Sequence, residues 1–150
     1  MGGSMIENLY LVATVGDARI AFRSAEVESV VVVRNVTPVP AAPPHIIGLF
    51  ALRSRVMTLV DAGIAVGESG SGSPEGRKTV VTDCGGHAYG IIVDQVEDVV
   101  FIEEDEFPIR GQLSPGWERV AESMIDHDGH TLLVVSAEAL VQGQARLRAA

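Results

Sequence analysis

The chain has 150 residues, 47% of them hydrophobic and only 5% aromatic, and it carries a formal net charge of −9. This size and composition suit one domain, or two very small ones, with an aliphatic core. The negative charge argues against nucleic acid and anionic membrane surfaces as main partners, because both reward basic surface.

No apolar run approaches the roughly 18 residues that a membrane-spanning helix needs, and no signal-peptide pattern opens the chain. We therefore expect a cytoplasmic protein with no direct insertion into the membrane. Residues 1–5 are interpreted as a cloning remnant and a disordered start, because two glycines and a serine separate Met1 from Met5. A single domain is predicted over 6–145, with a flexible tail at 146–150.

Valine and isoleucine dominate the apolar runs, which favours strands over helices. The first predicted unit reads strand, turn, strand over residues 15–22, and a further apolar segment follows at 26–31. No long amphipathic helix separates the strands. The sequence therefore predicts a mainly β fold of small closed barrels rather than a doubly wound sheet.

Two apolar strands joined by a cationic tip are predicted over residues 46–61. A two-residue hairpin turn usually takes Asn-Gly, Asp-Gly or Gly-Gly, because both central residues need a positive φ. Here the tip carries Arg53 and Arg55 instead. Two interpretations stay open at this point: the arginines are solvated turn residues, or they contact an acidic partner. Asp61, which ends the second strand, is a predicted helix N-cap.

A loop rich in glycine and serine at 67–76 is followed by a second copy of the first unit. The segment from residue 84 to residue 100 matches the segment from 15 to 31 at a constant offset of 69. Five positions are identical at this offset: Gly16 and Gly85, Val27 and Val96, Glu28 and Glu97, Val30 and Val99, Val31 and Val100.

The hairpin is repeated as well, at an offset of 75, which aligns Ser136 with Asp61 and makes Ser136 a second predicted N-cap. The change of offset implies six extra residues in the second copy, near residues 108–115. We therefore predict two similar β units, about 10–80 and 80–145, in one body, with the C-terminal segment packing back on the first unit.

Residues 126–130 read Asp-His-Asp-Gly-His, and a metal site is one interpretation of these two imidazoles and two carboxylates. A hairpin turn at Asp128-Gly129 is favoured, because side chains at a hairpin tip diverge and no spacing supplies a third ligand. His45 and His87 stand alone beside turns and are predicted to lie at the surface. No nucleophile with an ordered base partner is found, so we predict no catalytic residue, no metal and no cofactor.

Apolar residues exceed what two small barrels can hide. They are Val27, Val30 and Val32 in the first copy and Val96 and Val99 in the second. Barrels packed side by side can leave a groove at their joint, and a valine-lined groove rimmed by charge is typical of a site for a partner helix. The alternative is that all of these valines belong to the core.

Three segments together resemble the CheW family of bacterial chemotaxis coupling proteins: residues 44–61, the strand at 90–99 and the Thr-Pro-Val-Pro turn at 37–40. The resemblance runs from about Tyr10 to Val141. It implies a non-catalytic adaptor built from two SH3-like five-stranded β-barrels packed side by side, with short helices. Its implied partners are the regulatory domain of a CheA-type histidine kinase and the cytoplasmic tip of methyl-accepting chemoreceptors, which would recruit the protein to membrane-associated arrays.

By position in the family's motifs, the resemblance implies a set of partner-binding residues. A receptor groove would include Val27, Gly48, Val96 and Val99, with Gly90 allowing close approach of the strands. Leu52 and Arg53, at the hairpin tip, complete the implied partner contacts.

Four positions depart from the family's usual pattern. The tip has Ala51 and Ser54 where asparagine and glycine are usual, Thr58 replaces a proline, and Ser136 replaces an aspartate. These departures indicate a divergent paralogue. Two alternatives remain beside the coupling function: a generic β-barrel adaptor in another two-component or signalling pathway, and a small enzyme that uses Asp61 or the histidine-rich hairpin.

Overall fold

A computed structural model describes residues 8–70 and 72–143, so the predicted start at 1–5 and tail at 146–150 lie outside the described residues. Within these ranges the fold is mainly β, with two five-stranded sheets and short helices, which confirms the predicted fold class. No helix in the described ranges has the length and apolarity to cross a bilayer. The strands are β1 Leu9–Val15, β2 Ala18–Arg23, β3 Ser29–Val32, β4 Ile46–Leu52, β5 Arg55–Asp61, β6 Lys78–Cys84, β7 His87–Ile92, β8 Gln95–Phe101, β9 Ala121–His127 and β10 His130–Val135. The helices are α1 Ala62–Ala65, α2 Pro115–Val120 and α3 Ala137–Gln142, with one 3₁₀ turn at Ser24–Glu26.

The two sheets exchange strands between the two copies of the repeat. Sheet A has the order β8-β1-β2-β10-β9, and sheet B has the order β3-β6-β7-β5-β4. Sheet A thus combines β1 and β2 of the first copy with β8, β9 and β10 of the second, and sheet B combines β6 and β7 of the second copy with β3, β4 and β5 of the first. The predicted division into units at 10–80 and 80–145 is therefore wrong as a description of the sheets, because β1 and β2 pair with β8 and β10 rather than with β3 and β5.

The pairing register confirms the repeat strand by strand. The β4–β5 pair shifts register between Ile46 and Gly48, and the β9–β10 pair shifts at the positions 75 residues later. Isolated bridges also correspond: Thr37 pairs with Leu49, and Phe107 pairs with Met124. The first members of these bridges are 70 residues apart, whereas the register shifts are 75 apart. Most of the predicted extra residues therefore lie between the bridge and β9, where α2 forms.

Alternation along the strands builds three apolar clusters, because successive side chains point to opposite faces of a sheet. In β1, Tyr10 and Val12 point into the cluster of sheet A, whereas Leu11, Ala13 and Val15 point into a larger cluster shared by both sheets. Sheet B has its own cluster around Phe50, Met57 and Leu59. The shared cluster holds the two sheets together.

Both predicted N-caps form, and they place α1 and α3 at corresponding positions. The side chain of Asp61 accepts a hydrogen bond from the backbone N–H of Ile64 at 3.2 Å. The hydroxyl of Ser136 accepts one from the N–H of Ala139 at 3.1 Å. Each cap satisfies a backbone donor that a helix start leaves unpaired.

His45 is buried, so the prediction that it lies at the surface is wrong, whereas His87 is exposed as predicted. The ring Nε2 of His45 lies 2.9 Å from the carbonyl oxygen of Val141 in α3, and burial lowers the pKa of this imidazole. Packing of the end of the last helix against His45, which precedes β4, explains the burial. No local sequence pattern around residue 45 carries that information.

Glu106 is the centre of a polar cluster that anchors the segment after β8. Its carboxylate accepts hydrogen bonds from the Tyr10 hydroxyl at 2.7 Å, from Ser123 Oγ at 2.7 Å and from two nitrogens of Arg23 at 2.8 and 3.0 Å. Arg23 also pairs with Glu122. The hydrogen bonds from Arg23 are the main reason that the pKa of Glu106 falls to about 2. Burial, followed by the hydrogen bond to the same carboxylate, raises the pKa of Tyr10.

Candidate partner-binding surface

A groove of about 340 Å³ opens between β3 of sheet B and β8 of sheet A. Both strands are edges of their sheets, so each has one side without a paired strand. The groove is lined by side chains from β3, β8 and the strands that pair with them: Leu11, Val30, Val31, Val32, Lys78, Val96, Glu97, Asp98 and Val99.

Large exposed apolar side chains concentrate on these two strands. Val30 and Val32 on β3 are 39% and 42% exposed, and Val99 and Phe101 on β8 are 53% and 54% exposed. In the described part of the chain only Val56, on the hairpin, joins them at 52%. Single exposed apolar residues are normal on a protein surface, but a contiguous set marks an interaction site.

The β4–β5 hairpin carries the second candidate surface at its tip. Arg53 and Ser54 form the two-residue turn with φ of 53° and 69°, and the Asp128-Gly129 turn has φ of 52° and 76°. Both hairpins therefore use the same turn, with left-handed backbone at both positions, as a type I′ turn requires. A side chain at the second position is strained there.

The two arginines of the hairpin tip differ in their partners. Arg55 pairs with Glu28 and Asp83, and its hydrogen bonds lower the pKa of the Glu28 carboxyl. Arg53 is exposed and makes no ion pair with any described residue. Arg55 thus ties the hairpin to the start of β3, while the charge of Arg53 remains available to a partner.

Replacing Ser54 with glycine should raise the free energy of unfolding by about 0.5–1 kcal/mol, because glycine relieves the left-handed strain at φ 69°. Urea unfolding of the two proteins measures this difference. The second hairpin supplies the reverse experiment: Gly129→Ser should destabilise by a similar amount. A destabilised Ser54→Gly protein would contradict the strain argument.

The chain matches a family model along most of its length: the model of the CheW-like domain covers residues 9–145. The chain belongs to the CheW-like family. It is 23% identical over 141 residues to the chemotaxis protein CheW of Rhizobium meliloti (strain 1021), a match that covers 87% of this chain and 91% of that protein. Its fold is similar to the crystal structure of the scaffolding protein TtCheW from Thermoanaerobacter tengcongensis, with a TM-score of 0.76, 21% identity, and coverage of 89% of this chain and 87% of that one. This CheW-like chain is accordingly a non-catalytic scaffold of the chemotaxis type.

The structure brings only part of the predicted CheW-like groove together. Val96 and Val99 both line the groove between β3 and β8. Val27 is half-buried and lines a neighbouring cleft with Cys84 and Glu138 rather than the groove between β3 and β8. It was aligned with Val96 by the repeat, but it precedes β3 whereas Val96 lies within β8.

Gly48 and Gly90 are buried packing positions rather than groove residues. A Cβ on Gly48, in β4, would lie 2.6 Å from the carbonyl oxygen of Thr37, and Gly48 is not among the residues that line the groove between β3 and β8. A Cβ on Gly90 would lie 2.7 Å from Thr79 Cγ2 and 2.8 Å from Leu59 Cδ2. Gly90 thus allows close approach between β7 and its neighbours, as the family resemblance implied. Leu52 is half-buried against the cluster of sheet B.

Leu11 lines the groove, and Phe101 is an exposed apolar residue on the same strand as Val99; the sequence predicted neither. Phe101 is the counterpart of Val32 at the offset of 69, and Leu11 is the counterpart of Val80 in the same way. Extending the repeat by two residues beyond Val99 would have identified Phe101. Leu11 is buried in the structure and reads as an ordinary core residue in the sequence.

The histidine-rich segment is a hairpin tip, as predicted. His127 ends β9, His130 starts β10, and Asp128-Gly129 forms the turn between them. Across residues 8–70 and 72–143, no three His, Cys, Asp or Glu side chains lie close enough together to hold a metal ion.

Proposed function

We propose that this CheW-like scaffold couples chemoreceptors to a CheA-type histidine kinase. The groove between β3 and β8 receives the cytoplasmic tip of a receptor, and the β4–β5 hairpin contacts the regulatory domain of the kinase. The observation that supports this proposal is the set of exposed apolar side chains on the two strands that flank one groove: Val30, Val32, Val99 and Phe101, of which the three valines line it. Receptor binding would place the protein at membrane-associated arrays.

The groove suits a helical partner for physical reasons. Its lining combines six apolar residues with three charged ones, Lys78, Glu97 and Asp98. A helix lays an apolar face into such a groove, and burial of that face supplies most of the binding free energy. The charged residues contribute orientation and association rate more than affinity.

The hairpin suits a separate contact. Arg53 projects from a turn that is held in place by packing and by Arg55. Binding through its guanidinium therefore costs little side-chain and backbone conformational entropy. A guanidinium recognises carboxylates with directional hydrogen bonds. The kinase regulatory domain is expected to offer an acidic side chain there.

With both sites occupied, the protein holds receptor and kinase in a fixed relative position. A receptor rearrangement then shifts the kinase between active and inactive states through contacts that differ between those states. No covalent step by this chain is required.

Two charge variants should separate the two contacts. Val99→Asp should weaken binding of the receptor tip at least about tenfold and leave kinase binding unchanged, because a carboxylate would be buried against apolar surface. Arg53→Glu should weaken binding of the kinase regulatory domain by about fivefold or more and leave receptor binding unchanged. Isothermal titration of each variant with each purified partner gives the four affinities.

Val56→Asp is the matched control for the groove, since Val56 lies on a strand and is exposed to nearly the same extent as Val99. It should keep full receptor affinity. If Val99→Asp binds the receptor tip normally, the groove assignment fails, and if Arg53→Glu binds the kinase normally, the hairpin assignment fails. A wild-type protein that binds neither partner would leave the generic adaptor as the function.

A further inference from the structure

We propose that Lys78 selects the partner of the groove, by favouring helices that carry a carboxylate beside their apolar stripe. This inference rests on the proposed function, because the helix in question is that of the receptor tip. Lys78 lines the groove between β3 and β8 together with Val32 and Val96. It is the only lysine in a chain that otherwise uses arginine.

The strand pairing places Lys78 on the face of sheet B that turns towards sheet A. Lys78 pairs with Val32. Two residues further along β6, Val80 pairs with Val30. Paired residues of antiparallel strands share a face, and so do residues two positions apart. Since Val80 belongs to the cluster shared by both sheets, Lys78 lies on the same face at the margin of that cluster.

The apolar surroundings of Lys78 give its charge a role in docking. The methylene groups of a lysine cover apolar surface while its ammonium group reaches towards water. Val32 is 42% exposed beside it, so the stem has apolar surface to cover. A helix that docks in the groove removes part of the water around the ammonium group. A carboxylate on that helix compensates the loss, whereas an apolar or basic side chain does not.

The other two charged residues of the lining do not share this role. Glu97 is held by Arg19, which donates hydrogen bonds of 2.9 and 3.3 Å to its carboxylate. Asp98 pairs with Val12, so it lies on the face of sheet A that carries the separate cluster, not on the face that turns towards sheet B. Lys78 is exposed and forms no ion pair with any residue in the described ranges. Its charge is therefore available to a partner.

The chemistry of the favoured helix follows from this arrangement. Its apolar side chains recur at helical spacing and enter the groove, and an aspartate or glutamate on the flank of that stripe lies next to Lys78. An ion pair at an exposed edge raises affinity only a few-fold, but a basic residue at the same position of the helix is repelled. Lys78 thus discriminates between helices more than it strengthens binding.

A charge-exchange experiment on the full chain tests this role. The probes are synthetic receptor-tip helices that differ only at one position flanking the stripe, where each carries Glu, Gln or Lys, and this position is moved along the helix in successive sets. At one position the wild type should bind the Glu helix about threefold more tightly than the Gln helix and about tenfold more tightly than the Lys helix. Lys78→Glu should reverse this order. Lys78→Met keeps the apolar stem and should bind all three alike.

Arg110→Glu is the matched control, since it makes the same change of charge at an exposed residue outside the groove lining. It should keep the wild-type order. A carbodiimide, which condenses an amine with a carboxylate, gives an independent measurement because no other side chain of the protein carries an amine. Mass spectrometry should find an amide between Lys78 Nζ and the glutamate of a capped, lysine-free helix.

The outcomes separate this inference from the proposed function. Equal binding of the three helices by the wild type in every set, an unchanged order in Lys78→Glu, or cross-links only at the terminal amine would overturn the role of Lys78 and leave the groove as the site. Val99→Asp should weaken binding of all three helices together. Normal binding by Val99→Asp, or no binding by the wild type, would instead overturn the proposed function.

Discussion

Replacing Gly116 with alanine should destabilise the protein by about 3 kcal/mol or more, although alanine is the better helix former. Gly116 is buried in α2, and a Cβ there would fall on the carbonyl group of Val66, with the Val66 Cα only 2.8 Å away. The obstacle is backbone, which cannot rotate aside as a side chain can. Since Trp117 is also buried beside it and donates a hydrogen bond to Glu68, α2 would have to lift off as a unit.

Thermal unfolding measures this effect, and a loss of about 3 kcal/mol in a chain of this size lowers the midpoint by roughly 10 °C. Glu118→Ala is the matched control, because Glu118 lies on the same helix and is exposed. It should change stability by less than about 0.5 kcal/mol. If Gly116→Ala is as stable as the control, α2 does not pack against Val66 in this way.

Glu106→Gln should lower the free energy of unfolding at pH 7 by about 2 kcal/mol. The amide keeps the size of the carboxylate but loses the charge that binds Arg23, and it leaves the buried Tyr10 with a weaker acceptor. The figure is below the full value of the pKa shift because the cluster is partly exposed to solvent.

The pH dependence distinguishes a charge effect from a packing effect. The folded pKa of Glu106 is about 2, below its ordinary 4.5, so its stabilisation is fully present above pH 4.5 and is lost as the pH falls towards 2. The wild type and Glu106→Gln should therefore differ most near pH 7 and converge near pH 2. Urea unfolding at several pH values gives the two curves.

Glu104→Gln is the control for this prediction, because it changes the same residue type two positions earlier at an exposed site. It should stay within about 0.5 kcal/mol of the wild type from pH 2 to pH 7. A Glu106→Gln deficit that is constant across this range would show that the carboxylate charge is not what stabilises the cluster.

The features that the sequence predicted correctly depend on neighbouring residues. The type I′ turn at Asp128-Gly129 and the caps at Asp61 and Ser136 follow from turn and helix-start chemistry. The repeat was visible because equivalent strands face equivalent surroundings.

The features that the sequence did not predict depend on contacts between distant segments. Because the two copies are similar, the first two strands of each copy could pair within that copy or with strands of the other copy. The alternation of buried and exposed side chains is the same in both arrangements, so the sequence does not distinguish them. The burial of His45 depends on α3, almost 100 residues later. Val27 and Val96 are identical residues at equivalent positions of the repeat, yet Val27 precedes β3 and Val96 lies within β8, so they line different clefts.

The exchange of strands also fixes where the chain passes from one sheet to the other. It crosses at residues 24–28, just before β3, and again at Val93 and Asp94, just before β8. Thr82 Oγ1 donates to the carbonyl oxygen of Glu26 at the first crossing, and Arg77 donates to that of Val93 at the second. The strands that form the groove walls, β3 and β8, therefore directly follow the two crossings. A partner bound between them would fix the angle between the two sheets, and a change in that angle would move the hairpin at the other edge of sheet B.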